Sequence, residues 1–182
     1  APWAVVPAII LFASTVGLVM PGFHLALVPI AMASLSSLGY DDFINIWFFC
    51  CTITPGFIAL AVALKTKKNS LRQLGFTASL SALLGGISEP TTYGICYKMV
   101  KPWYAYFITA FTTGILTGIL NLKCYGFGGY SLTNILLYLG PDKDMANFRN
   151  AVILVVYMAV MSFITVNVIG FDDSVYDEEN AA

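Results

Sequence analysis

Long apolar runs alternate with short polar breaks along the chain, and the lengths of the runs predict its elements. Residues 3–20 are apolar apart from Ser14 and Thr15; Pro21 and Gly22 then break the run and His24 follows at once. The next apolar stretch, residues 25–38, is too short to cross a bilayer, which takes about 20 residues, whereas stretches of about 10–14 suit re-entrant elements. Together they predict a helix–break–helix unit, with an ordinary crossing followed by a loop as the plainer alternative. Residues 44–64 are long enough to span, with Pro55 and Gly56 as a kink point. Lys65, Lys67, Lys68 and Arg72 follow, and cations packed beside a crossing mark the cytoplasmic side.

Residues 74–87 are again short for a crossing and end in Gly85-Gly86-Ile87-Ser88-Glu89-Pro90. A weakly apolar return, residues 91–97, reaches Lys98 and Lys101. Cations on both flanks place both ends on one face, which predicts a re-entrant hairpin opening to the cytoplasm. Residues 103–122 then cross outward, with Trp103, Tyr104 and Tyr106 as interfacial anchors. Residues 123–150 form a Gly-rich external connection with a short apolar insert at 135–139. Residues 151–169 cross back and leave an acidic tail in the cytoplasm, a placement that rests on counting crossings because acidic residues orient segments poorly. The first hairpin therefore opens outward and the second inward. The predicted fold is an all-α integral membrane protein whose transmembrane helices accompany two opposed re-entrant hairpins. Their tips meet near the midplane, the pattern of transporter binding sites.

Composition agrees with a lipid environment. Of the 182 residues 58% are hydrophobic and only 10% charged, with mean hydropathy +0.79, against about 25% charged in a soluble domain. A net charge of −1 argues against a nucleic-acid footprint. The length suits one domain of about five or six membrane-entering segments. Cys50, Cys51, Cys96 and Cys124 lie in or beside apolar stretches without metal-ligand spacing and read as small hydrophobes. The opening Ala1-Pro2-Trp3 reads as lacking a signal peptide and as belonging to a longer protein.

Two ionisable residues stand out. Glu89 is the only Asp or Glu between Phe43 and Pro141. A charge in the membrane interior is expensive and marks a functional site by default. Its setting adds a second reason, because backbone freed by Pro90 and the glycines is tolerated where it lines a wet cavity. His24 is the sole histidine, a residue type more often structural than functional when alone, yet here it follows the Pro-Gly break opposite Glu89. Imidazole donates and accepts hydrogen bonds, and a carboxylate accepts two hydroxyls, so the pair suits a neutral polyol. Ser88, Thr91 and Thr92 either donate to a ligand or cap the half-helices. Tyr93 beside the break, and Trp47, Phe48 and Phe49 in a crossing, offer faces on which a sugar ring stacks, although most aromatics here serve packing or the interfacial belt. No phosphate loop, Ser/His/Asp set or metal-ligand cluster appears, so neither cofactor nor metal is expected.

The segment Gly85-Gly86-Ile87-Ser88-Glu89-Pro90-Thr91-Thr92-Tyr93-Gly94 resembles the signature of enzyme IIC, the membrane permease of the bacterial sugar phosphotransferase system, in its glucose/β-glucoside form GITEPAIYG. Gly22-Phe23-His24 with Leu27-Val28-Pro29-Ile30 resembles the family's GVH…LVPI, Lys101-Pro102 its basic-Pro, and residues 123–129 its KAYAFGG. Ser88, Thr91-Thr92, Phe23 and Cys124 depart from the pattern, and the last three departures read either as a shifted sugar preference or as the mark of a divergent member. The resemblance spans nearly the whole chain. It implies a sugar held by His24 and Glu89, with Ser88, Thr91, Tyr93 and Gly22 around it, in a transport domain that moves as an elevator against a dimeric N-terminal scaffold. It further implies that enzyme IIB, itself served by IIA, phosphorylates the sugar at the cytoplasmic face.

The IIB cysteine motif is not in this sequence, so no catalytic residue is assigned to it, and whether to class the chain as an enzyme stays open. Residues 1–171 are expected to be the C-terminal transport part of an enzyme IIC domain, lacking the helices that precede it in relatives, and residues 172–182 an acidic cytoplasmic linker. The expected function is group translocation of a glucoside or related sugar across the bacterial cytoplasmic membrane, with the homodimer formed through an N-terminal half. An ion-coupled secondary transporter in which Glu89 titrates is the main alternative. A membrane-embedded enzyme using Glu89 and His24 as acid and base would need a reactive group that the sequence does not display.

Overall fold

A computed structural model of the chain describes residues 22–141 and 143–178. Residues 3–20, expected as the first arm of the first hairpin, and Pro21 lie outside the described residues. A 3-10 turn, Phe23–Leu27, leads into α1, Val28–Leu38, with Pro29 in its first turn, where the missing amide hydrogen has no helical acceptor to lose. Then come α2, Ile44–Lys65, and α3, Asn69–Leu83. The chain turns through residues 84–88 and returns by a helical turn, Glu89–Thr91, that runs into a π-helix, Thr92–Tyr97. α4, Lys101–Leu120, and α5, Met145–Ile169, are joined by an irregular segment containing a 3-10 turn, Leu132–Tyr138, and a short helix, Val175–Glu178, follows. Among the described residues, extended pairing is confined to one antiparallel bridge between Asp41 and Cys124.

Three helices, α2, α4 and α5, are long and apolar enough to cross a membrane. Within their apolar windows α2 is 89% buried, against 33% for α4 and 28% for α5. α2 is therefore the central helix, with α3, α4 and α5 packed around it. Pro55 lies inside α2 without ending it. α5 shows why the outer helices are amphipathic in a lipid sense. Val152, Val156, Val160, Ile164 and Val168 are exposed at intervals of four residues, while Leu154, Met158 and Val166 are buried.

Lipid tails are as apolar as leucine, so helices associate there through close van der Waals contact between small residues. A β-carbon added at Gly75 of α3 would stand 2.7 Å from the Ala63 β-carbon and 3.1 Å from the Ala59 carbonyl oxygen. One added at Gly56 of α2 would stand 2.8 Å from a Leu83 methyl. These two glycines bring the backbones of α2 and α3 together. Polar contact joins α4 to α5, where the Thr109 and Thr165 hydroxyls are 3.1 Å apart.

The irregular segment before α5 is stapled rather than loose. Asp144 caps α5 by accepting from the Ala146 and Asn147 amides. The Asn147 side chain donates to the carbonyls of Lys123 at 2.8 Å and Tyr138 at 2.6 Å, and accepts from the Lys123 amide at 2.9 Å. Asp41 exchanges backbone hydrogen bonds with Cys124 at 2.8 Å each way, and its carboxylate accepts from the Asn45 amide at the start of α2. Burial raises the Asp41 carboxyl above its usual range, against the lowering effect of that amide.

The acidic end is seated on the body. Lys65 reaches the Asn167 carbonyl at 3.3 Å, and the Thr66 hydroxyl donates to the Asp173 carboxylate at 2.7 Å. Lys68 donates to the Asp173 carbonyl at 2.6 Å. Tyr176 is buried, its hydroxyl donates to the Gly94 carbonyl in the π-helix, and the Lys98 ammonium lies 4.4 Å from its ring centroid.

Two outcomes are expected. Gly75→Val should destabilise the fold by about 1–3 kcal/mol through overpacking, seen as a lower melting temperature in detergent; an unchanged melting temperature would mean that α2 and α3 do not meet this closely. Tyr176→Phe should speed hydrogen exchange at residues 92–97 and 173–178, measured by mass spectrometry, and unchanged protection there would remove the hydroxyl from this account.

Candidate functional site

α3 ends at Leu83, and several of the backbone groups freed there find partners within the chain. The Gly86 amide donates to the Ala82 carbonyl at 3.2 Å and the Ile87 amide to the Ser81 carbonyl at 3.1 Å. The Ser81 hydroxyl returns to the Ile87 carbonyl at 3.2 Å. Gly86 adopts φ +74°, a left-handed conformation that glycine takes without steric cost. Pro90 then sits at the start of the return, and the Ser88 carbonyl accepts from the Thr92 amide at 2.8 Å and from the Thr91 hydroxyl at 2.6 Å. These bonds run through backbone and hydroxyl groups and leave the Glu89 side chain out of them.

Facing this turn is the 3-10 segment at Phe23–Leu27, and between them lies a cavity of about 400 Å³. Gly22 and His24 line one side, and Ser88, Glu89 and Tyr93 the other. Phe48 and Thr52 of α2 contribute a third wall, with Phe127 and Tyr130 closing from the Gly-rich connection. Of the residues singled out from the sequence, Thr91 does not line the cavity. It is fully buried and its hydroxyl donates back to the Ser88 carbonyl, without capping either half-helix; Thr92 beside it does line the cavity. Trp47 and Phe49 are buried in the core.

The cavity has a polar edge and an aromatic wall. Glu89 is exposed to it, and among the described residues its carboxylate carries no ion pair or hydrogen bond. The His24 ring stands edge-on to Phe48 at 6.0 Å and 73°. Tyr130 stacks on Phe48 with centroids 4.8 Å apart and planes at 25°, and Phe127 meets Tyr130 edge-on at 6.1 Å. Burial raises the Tyr130 phenol above the usual tyrosine range, so it remains a neutral donor, directed at the Asn45 side-chain oxygen at 3.4 Å. Such a site can hold hydroxyls on a carboxylate and an imidazole while an apolar face rests on aromatic rings. Among the described residues no group of three His, Cys, Asp or Glu side chains could hold a metal ion, and all four cysteines are free and buried.

Tyr130 and Phe127 were not identified from the sequence. Phe127 lies in the stretch that resembles KAYAFGG, but nothing there marks it as lining a site, and Tyr130 follows it after Gly128-Gly129 in a segment that reads as an external connection.

No family model matches the chain, and no solved structure matches it. Curated relatives do. The arbutin-, cellobiose- and salicin-specific EIIBC component of the phosphotransferase system (PTS) of Escherichia coli is 30% identical over 164 residues, 90% of this chain and 34% of that protein. The β-glucoside-specific EIIBCA component of Bacillus subtilis is 30% identical over 168 residues, 91% of this chain and 26% of that protein. The glucose-specific EIIBCA component of Corynebacterium glutamicum is 36% identical over 123 residues, 65% of this chain and 18% of that protein. The chain thus spans about a third or less of the length of these relatives, which are fused proteins. With its three candidate spans, the likeness makes it a multi-pass protein of the bacterial cytoplasmic membrane. Over most of its length the chain is homologous to the EIIC components of PTS sugar permeases of the glucose/β-glucoside family.

Proposed function

We propose that this chain is the sugar-binding, C-terminal transport part of an enzyme IIC permease that carries a glucoside or related sugar inward by group translocation. The observation that carries the reading is the convergence of His24 and Glu89, from separate chain breaks, on one cavity of about 400 Å³ in a chain homologous to PTS permeases. In this reading Glu89 accepts sugar hydroxyls, His24 donates or accepts beside it, and Ser88 and Tyr93 complete the edge. Gly22 lets the backbone approach, and Thr91 supports the site by bonding back to the Ser88 carbonyl. Residues 69–97 form a re-entrant hairpin opening to the cytoplasm, opposed by a hairpin that ends in residues 25–38. The basic residues 65–72 support that orientation.

The phosphoryl chemistry lies on IIB and IIA, to which the relatives' fused architecture points. The sugar site is delivered to them by movement of this part against a dimeric scaffold. A break in a helix is affordable to such a protein because it lines a polar cavity.

The test uses the intact membrane protein. Glu89→Gln should weaken sugar binding about 10- to 100-fold, the worth of a charge-assisted hydrogen bond, with membrane insertion unchanged. Wild-type affinity in that variant would sink the assignment of Glu89. For topology, a Lys67→Cys variant should react with a membrane-impermeant thiol reagent from the cytoplasmic side only; labelling from outside would invert the hairpins.

A further inference from the structure

A pyranose is amphipathic. Its hydroxyls point outward round the ring edge, while axial C–H bonds make one or both faces apolar, and epimers with equal numbers of hydroxyls differ in which face stays apolar. A carboxylate and an imidazole can count and place hydroxyls, but they do not read a C–H face. An aromatic ring does, provided that its position is fixed relative to the polar edge.

Tyr130 meets that condition. It is half-buried at the cavity wall, backed by Phe48 in a stacked pair at 4.8 Å. Phe48 itself is only 6% exposed, so Tyr130 is the member of the pair with free surface. Its hydroxyl is directed at the side-chain oxygen of Asn45, 3.4 Å away, a residue 2% exposed at the start of α2. Its backbone is set against the turn that carries Ser88 and Glu89, since a β-carbon on Gly86 would stand 3.2 Å from the Tyr130 amide nitrogen. The aromatic surface and the carboxylate are thereby held in one frame although they come from distant parts of the chain.

We propose that Tyr130 is a specificity-determining residue of the cavity, its ring receiving the C–H face of the sugar while Glu89 and His24 hold the hydroxyl edge. Tyr130 then selects ring configuration, and Glu89 sets overall affinity. The inference rests on the sugar-binding reading given above.

The experiment measures calorimetric affinities of the intact membrane protein in lipid nanodiscs for paired gluco- and galacto-configured β-glycosides. Wild type should separate the members of a pair. Tyr130→Leu, which keeps apolar bulk without a ring, should weaken the preferred member roughly tenfold and bring the ratio toward one. Tyr130→Trp, which keeps a ring face, should preserve the ratio. Glu89→Gln should weaken both members alike. A second measurement needs no variant: saturation-transfer NMR on the wild type should show strongest saturation at the axial protons of one sugar face, and even saturation round the ring would overturn the proposal. An unchanged ratio in Tyr130→Leu, with binding lost in Glu89→Gln, would overturn it and leave the sugar site standing. Unaltered binding in Glu89→Gln and Tyr130→Leu together, or no binding of any sugar by wild type, would remove the sugar site and this inference with it.

Discussion

An apolar surrounding offers no water to a backbone amide or carbonyl, so each group that leaves helical pairing must find a protein partner. Protein partners of this kind hold several of the irregular segments among the described residues. The turn at residues 84–88 closes on the last carbonyls of α3. The connection before α5 is held by the Asn147 amide group, the Asp41–Cys124 bridge and a hydrogen bond from the Tyr125 amide to the Leu137 carbonyl at 2.9 Å. The central helix can be buried on nearly all sides because glycines at two places let α3 approach it without a gap. Packing and backbone pairing are therefore one problem here, solved by small residues where helices meet and by side-chain amides where they end.

The same constraint identifies the groups that the fold does not use. Ser88 and Thr91 are drawn into pairing the turn, whereas the Glu89 carboxylate takes no part in it. Glu89 thus contributes nothing to the hydrogen bonds that hold the turn, in a chain with few acidic residues outside its ends. The cavity gives the side chain its setting, since a solvated or ligand-filled space supplies partners that the turn does not.

Much of this was legible in the sequence. Run lengths located the three long helices, and the two breaks located Gly22-Phe23-His24 and Ser88-Glu89, because glycine, proline and lone charges in apolar surroundings have few alternative uses. Helix ends were less legible: α5 begins at Met145, earlier than its apolar run at residue 151, because Asp144 and Asn147 supply capping and stapling that a hydropathy pattern does not register. The π-helix at Thr92–Tyr97 has no compositional mark. Tyr130 was invisible for a different reason. Its importance lies in contacts with Phe48 and Gly86, some 80 and 40 residues away by simple numbering, and local pattern carries no information about which distant backbone will be its neighbour.

The docking of the acidic end has a structural consequence. Asp173 is bound to the basic loop after α2 and Tyr176 to the Gly94 carbonyl, so the acidic end is tied both to that loop and to the π-helix, one residue from Tyr93 in the cavity wall. The π-helix is the loosely wound part of the return arm, and the docked C-terminal segment closes on it beside the cavity, so the acidic end and the cavity wall share one contact.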